Sequence, residues 1–391
     1  MERPLTSIQS HIQDQGLDGW LLYSYEGGNS IFNRVTGLSE GTGRCFLWIP
    51  ASGEAKLLLR AMDAPAFRGF SAQRTLFLGW QEIGAWLATV VKPGMRVAME
   101  YSPEGALAGI AKVDAGTVEL VRSFGPEIVS SGDLYQAACC ALDPEEYASH
   151  LKAAAALDEI KDLAFSAVRK AVQAGSPLNE YDIQQLILAE FDKRDLVTED
   201  GEPIVAVNEH SRLPHYMPAP EGSAAITKDC WLLIDIWAKA KGPRDVFADI
   251  TWVAYTGPNV PEKQQEMFAI TCEARDRAFA VIEKAWKEGR SAQGFEADRA
   301  ARDYIAEKGY GETFIHTTGH SLGTSVHAPG VGLNDLSAHD TRRILPGACV
   351  TIEPGIYLHD FGMRTEIDVY VDPVTGPVIT TSLQKEIPLL F

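Results

Sequence analysis

The sequence predicts an α/β (α+β) chain of two domains. Three observations carry this: a length of 391 residues, strands alternating with helices in the first third, and a long amphipathic helix leading into a second strand set that holds carboxylates.

In the first third, 17–24 (LDGWLLYS), 43–50 (GRCFLWIP), 54–60 (EAKLLLR) and 95–101 (MRVAMEY) read as strands, with Glu26-Gly27-Gly28 as a turn. QEIGAWLATVV (81–91) has helical apolar spacing. The glycines here form no GxGxxG after a strand, so a dinucleotide site is not predicted. This α/β domain spans 1–135, with the boundary at 134–143. The second domain, 144–391, opens on a helix capped by Asp143, with Pro144-Glu145-Glu146 in its first turn and a stop near Gly175-Ser176-Pro177. A second helix is capped by Asn179. Strands follow at 230–238 (CWLLIDIWA), 248–255 (ADITWVAY), 348–358 (ACVTIEPGIYL) and 363–372 (MRTEIDVYVD), with helices starting near Pro261 and Gly294 between the second and third.

Composition narrows the function classes. Hydrophobic residues are 46% and charged residues 23%, as in an ordinary globular protein. A formal charge of -18 repels phosphate backbones and anionic membranes, so neither is an expected partner, and the same field favours cations. No apolar run reaches the ~18 residues that span a bilayer. The start, MERPLTSIQSHIQDQG, has no basic residues followed by an apolar segment, so no secretory signal is expected. Six scattered cysteines without a CxxC pair read as reduced thiols, which places the protein in the cytoplasm.

The chemistry lies in the second domain. Asp235 sits inside LLIDIW, Glu353 inside VTIEPG and Glu366 inside MRTEIDVYV, while Asp249 opens the ADITWVAY strand. A carboxylate in an apolar strand is costly unless paired or metal-bound, and four need a common cause. Alternation places Arg364, Glu366 and Asp368 on one face of the last strand. HTTGHSLGTSVHAPG adds His316, His320 and His327, with Gly319 and Gly323 beside the central imidazole, and His215 lies in LPHYMPAP. Four carboxylates with one imidazole suit Mn, Co, Fe or Zn, and four negative charges match two divalent cations. Two such ions about 3.5–4 Å apart can clamp both the attacking and the polarised oxygen of a hydrolysis.

The set LLIDIW, ADIT, TTGHSLG, VTIEPGIY and GMRTEID, in this order, resembles the pita-bread metallopeptidases of the Xaa-Pro dipeptidase (prolidase) and Xaa-Pro aminopeptidase branch. The first domain is similar to their creatinase-like amino-terminal domain. The resemblance implies a curved antiparallel sheet and two divalent metal ions, manganese first, then cobalt or zinc. It implies ligands Asp235, Asp249, His320, Glu353 and Glu366, with Glu366 bridging and Glu353 as candidate general base. His215, His316 and His327 are implied to orient the peptide and stabilise the tetrahedral intermediate. Arg364 and Tyr357 are implied to hold a ligand carboxylate and line the cleft. The implied substrate is a small peptide with proline after the scissile bond, a dipeptide first and longer peptides as the alternative, and the implied assembly is a homodimer. A non-catalytic peptide-binding relative is the remote alternative, since such relatives lose several of the five ligands.

The sequence departs from the family between the aspartates. Asp249 follows Asp235 by fourteen positions, more than is usual in the family, Trp237 replaces a usual Gly, Val246 a usual Tyr and Trp252 a usual Arg. Asp249 rather than Asp245 is the expected ligand, because ADIT matches the family element. A dipeptidase needs a cation for the free carboxylate, and Arg342, Arg343 and, from the first domain, Arg44 are the candidate anchors.

Overall fold

A computed structural model describes residues 5–38 and 41–391 and divides the chain into two units, 1–140 and 141–391. In the first unit the apolar runs pair into one six-stranded mixed sheet. Its order is Gln73–Phe77, Lys56–Arg60, Arg44–Pro50, Gly19–Tyr25, Arg96–Met99, Glu127–Ser130. Four of these strands match the sequence reading. Gln73–Phe77 escapes it because four of its five residues are exposed, which leaves no apolar alternation to detect. The helix Gly132–Cys139 continues through part of the segment read as the boundary.

Beneath this sheet lies a buried carboxylate. Trp20 Nε1 (2.6 Å), Asn29 Nδ2 (2.9 Å) and the Tyr23 amide (3.4 Å) donate to Glu100, which is fully buried. Burial outweighs these donors and pushes its pKa from 4.5 up to about 7. Between these values the folded unit keeps a proton that the unfolded chain has released, so stability falls as pH rises through the window and levels off above it. Relative to Glu100→Gln, the natural protein is expected to lose on the order of 3 kcal/mol across that window, read from urea midpoints. Parallel pH curves for the two proteins would refute the assignment.

In the second unit the predicted caps form. Asp143 and Glu146 make a capping box on the helix Pro144–Ala174, and Asn179 and Asp182 make another on Glu180–Lys193. All strand pairings here are antiparallel. Trp231–Ala240 is bordered by Ala248–Tyr255, by Leu196–Val197 and by Ile204–Val207. A five-stranded sheet runs Ala328–Leu333, Gly319–Ser321, Cys349–Ile352, Ile367–Asp372, Gly376–Ile379. Strand alternation divides the core. Leu232, Ile234, Ile236 and Ile250 pack with the helices Pro144–Ala174 and Glu180–Lys193, whereas Leu233, Trp237 and Val253 pack with the helices Glu262–Lys287 and Gly294–Glu307. Asp235, Asp249 and Thr251 take the second face, with Thr251 directly opposite Asp235.

Two strands read as continuous are broken. The 348–358 run divides into Cys349–Ile352 and Gly355–Tyr357, and the 363–372 run into Gly362–Arg364 and Ile367–Asp372. The halves belong to different sheets, and each break falls at a carboxylate of interest: Glu353, followed by Pro354 with no N–H to donate to a ladder, and Glu366. Arg364, Glu366 and Asp368, expected along one strand, are thus divided by the break, yet all three reach the Ala248–Tyr255 strand, at Thr251 Oγ1 for the first two and at the Asp249 amide for the third.

Candidate metal centre

The broken strands and the Trp231–Ala240/Ala248–Tyr255 pair meet at a cavity of about 530 Å³. Asp235, Asp249, His320, Glu353 and Glu366 all line it, as do His215, His316, His327 and Arg364. One ligand atom each from Asp249, His320 and Glu366 lies within 4.8 Å of the others. His320 Nε2 is 3.5 Å from Glu353 Oε1 and 3.8 Å from Asp249 Oδ2. Its Nδ1 lies 3.3 Å from Ser321 O and carries the ring proton, so the Nε2 lone pair faces the carboxylates. A Cβ on Gly319 would sit 2.0 Å from Thr351 O, so glycine there lets the His320 strand press against its neighbour. The His320 amide then donates to Thr351 Oγ1 (3.0 Å), whose hydroxyl donates to Glu353 Oε1 (3.1 Å).

Without a cation, the electrostatics of this cluster are unfavourable. Burial, then Glu353 and Asp235, hold the Glu366 pKa well above the carboxylate range; burial, then Glu366 and Asp235, do the same for Asp249. Burial pushes Glu353 up to about 7, and burial with the neighbouring His327 pushes His320 down to about 4. Asp249 Oδ1 is buried without a hydrogen-bond partner. Converging carboxylates, an orphaned oxygen and an imidazole lone pair aimed at them fit divalent cations. Asp245, the other possible aspartate, instead accepts from the Gly242 amide (2.8 Å) in a turn.

Arg364 is the buried cation of the cluster. It pairs with Asp235 and donates to Thr251 Oγ1 (3.0 Å) and Tyr357 Oη (2.9 Å). Thr251 Oγ1 donates to Glu366 Oε2 (2.8 Å), which links guanidinium to carboxylate. Tyr357 Oη donates to His316 Nε2 (2.7 Å), while His316 Nδ1 donates to Thr317 O (2.8 Å). His316 therefore has no free N–H as arranged, and burial with the nearby Arg364 charge pushes its pKa down to about 3. His215 and His327 are exposed in the cavity wall. His327 Nδ1 lies 3.2 Å from Asp200 Oδ2.

Arg342, one of the expected carboxylate anchors, does not line this cavity. Arg342 closes on Asp340 (2.6 and 3.0 Å) and donates to Pro329 O (3.0 Å). Arg44 belongs to the first unit, where it lines a separate cavity with Tyr23, Lys112 and Asp114. Sequence reasoning missed Thr251 and saw Asp368 only as a neighbour of Glu366, without its partner. Asp368 Oδ2 accepts the Asp249 amide (2.9 Å) from behind the cavity. The threonine was legible in principle, sharing the Asp249 face of the ADIT strand.

Residues 149–373 match the model of metallopeptidase family M24. An Xaa-Pro dipeptidase of Lactobacillus helveticus is 33% identical over 226 residues, 57% of this chain and 55% of that protein. One from Pyrococcus furiosus is 32% identical over 185 residues, 47% of this chain and 48% of that one. The chain thus spans about half the length of the curated relatives it matches. A recombinant prolidase from Thermococcus sibiricus shares the fold, with a TM-score of 0.58 and 22% identity over 99% of this chain and 98% of that one. The family match covers more than half of the sequence and includes Asp235, Asp249, His320, Glu353 and Glu366: this chain belongs to metallopeptidase family M24.

Proposed function

We propose that the chain hydrolyses the peptide bond before proline, in Xaa-Pro dipeptides, using two divalent cations held by Asp235, Asp249, His320, Glu353 and Glu366. The observation that carries this is the convergence of Asp249, His320 and Glu366 ligand atoms within 4.8 Å inside a lined cavity. When bound, the ions supply Lewis-acid polarisation of the scissile carbonyl and an activated water. Glu353, whose Oε1 faces His320 Nε2 at 3.5 Å in the cavity, is the carboxylate that takes a proton from the attacking water and passes it to the leaving nitrogen. His215 and His327, exposed on the cavity wall, bind the peptide and donate to the developing oxyanion. His316 acts through Tyr357, holding the hydroxyl that braces Arg364. A tertiary proline amide suits a closed apolar wall such as Ile204, Met217 and Trp237, since it brings no N–H that needs a partner.

A second reading, cleavage of longer Xaa-Pro peptides, is favoured by one observation. Among the described residues lining the cavity, Arg364 is the sole Lys or Arg, and it is committed to Asp235. Comparing Ala-Pro, Ala-Pro-Ala and Ala-Ala decides between them. The dipeptidase reading predicts Ala-Pro as the best substrate; cleavage of Ala-Pro-Ala alone would reject it in favour of the second. Equal hydrolysis of Ala-Ala would reject proline selectivity altogether.

No helix of the described residues is long and apolar enough to cross a membrane. Cys45, Cys230 and Cys349 are buried thiols, which supports the cytoplasmic assignment. The homodimer rests on the family resemblance and is tested by sedimentation.

A further inference from the structure

The wall that carries His215 hangs from one buried carboxylate outside the metal centre. Glu180 opens the helix Glu180–Lys193 and is fully buried. Its Oε1 accepts the Val207 amide (2.7 Å). Its Oε2 accepts Tyr216 Oη (2.6 Å) and the Ala224 amide (2.7 Å). His210 Nδ1 lies 2.9 Å from both oxygens, and the His210 and Tyr216 rings stack with centroids 4.5 Å apart. Residues 207, 210, 216 and 224 are therefore tied to a single carboxylate. The chain between them carries His215 and Met217 into the cavity, and Pro214 O reaches Arg364 Nη1 at 3.4 Å. Gln184 Nε2, one turn further along the same helix, donates to Met217 Sδ (3.4 Å), so this exposed stretch is held from the helix Glu180–Lys193.

We propose that Glu180 is a positioning residue for the reaction: it fixes the 207–224 segment and so places His215 against the substrate. The proposal rests on the reading that His215 contacts the peptide. A charged acceptor suits the task, because its two oxygens collect donors from both ends and the middle of the loop at once. A loop of this length without such a tie would sample many conformations, and a histidine misplaced by an ångström loses its hydrogen bond to the reacting group.

The test combines activity with a readout independent of it. Glu180→Gln, Tyr216→Phe and His215→Ala are made singly, and the first two are also combined with His215→Ala. Each protein is loaded with Mn²⁺, and kcat/KM on Ala-Pro is expressed per metal-loaded chain. Glu180→Gln is expected to lower kcat/KM roughly 10- to 100-fold, the order for about an ångström of misplacement. Tyr216→Phe, which removes one donor at a half-buried site and leaves the fold intact, is expected to lower it about 3-fold or more. Neither should cost more than about twofold once His215 is already alanine, because the group being positioned is gone. Hydrogen exchange across 207–224 should quicken in Glu180→Gln while the helix Glu262–Lys287 keeps its protection. Equal losses with and without His215, or unchanged exchange across the segment, overturn the proposal. Full activity in His215→Ala overturns the reading of His215 itself, and the exchange result then still decides whether Glu180 ties the loop.

Discussion

Glu366→Gln is expected to lower kcat/KM on an Xaa-Pro substrate by about 10³-fold or more while raising the stability of the metal-free protein. The opposite signs follow from the geometry. Glu366 is 3% exposed and lies among Asp235, Asp249 and Glu353, with its pKa held well above the carboxylate range. An isosteric amide removes that repulsion and keeps an oxygen for the Thr251 hydroxyl, 2.8 Å away, and the backbone bond from the Glu366 amide to Thr251 O (3.1 Å) is unaffected. The metal-free variant should therefore melt above the metal-free parent. A residue with a purely structural role would lose stability and activity together. Retained peptidase activity, or a lower melting temperature in the metal-free state, would contradict the proposed role of Glu366 as a metal ligand.

Arg364→Ala should destabilise the chain by about 3–5 kcal/mol, the usual cost of leaving the partners of a buried ion pair uncompensated. Arg364 is 4% exposed and bridges Asp235, Thr251, Tyr357 and Pro214 O, so its loss strands a carboxylate, two hydroxyls and a carbonyl together. A melting temperature lower by about 10 °C would register it in a chain of this size. Arg364→Lys keeps the charge but not the planar fork, and should fall between the two. An unchanged melting temperature for the alanine variant would show that the guanidinium is not the clamp described here.

The sequence made some of this site legible and hid the rest for identifiable reasons. Asp235 stands out because one carboxylate interrupts a run whose other members are fully apolar, and the strand Trp231–Ala240 keeps that alternation intact. Glu353 and Glu366 were legible as residues but not as breaks. A strand-period reading carries straight across both, whereas the chain bends there and changes sheets. Asp368 was legible beside Glu366, but its partner was not, because the Asp249 amide that it accepts lies 119 residues away. Arg342 looked like a free cation beside the catalytic strand, and Asp340, two residues away, captures it. Glu180 gave no signal at all, because a carboxylate in the first turn of a helix is ordinary and its four partners lie 27 to 44 residues away.

The most direct test of the account is the number of divalent ions the chain takes up. After exhaustive chelation, calorimetric titration with Mn²⁺ is predicted to load two ions per chain, with a rise in melting temperature as the carboxylates gain their counter-charge. Asp249→Asn, His320→Ala and Glu366→Gln should each bind fewer. A chain that takes up no ion, or the same uptake by all three variants as by the parent, would contradict the claim that these residues converge to hold a metal pair.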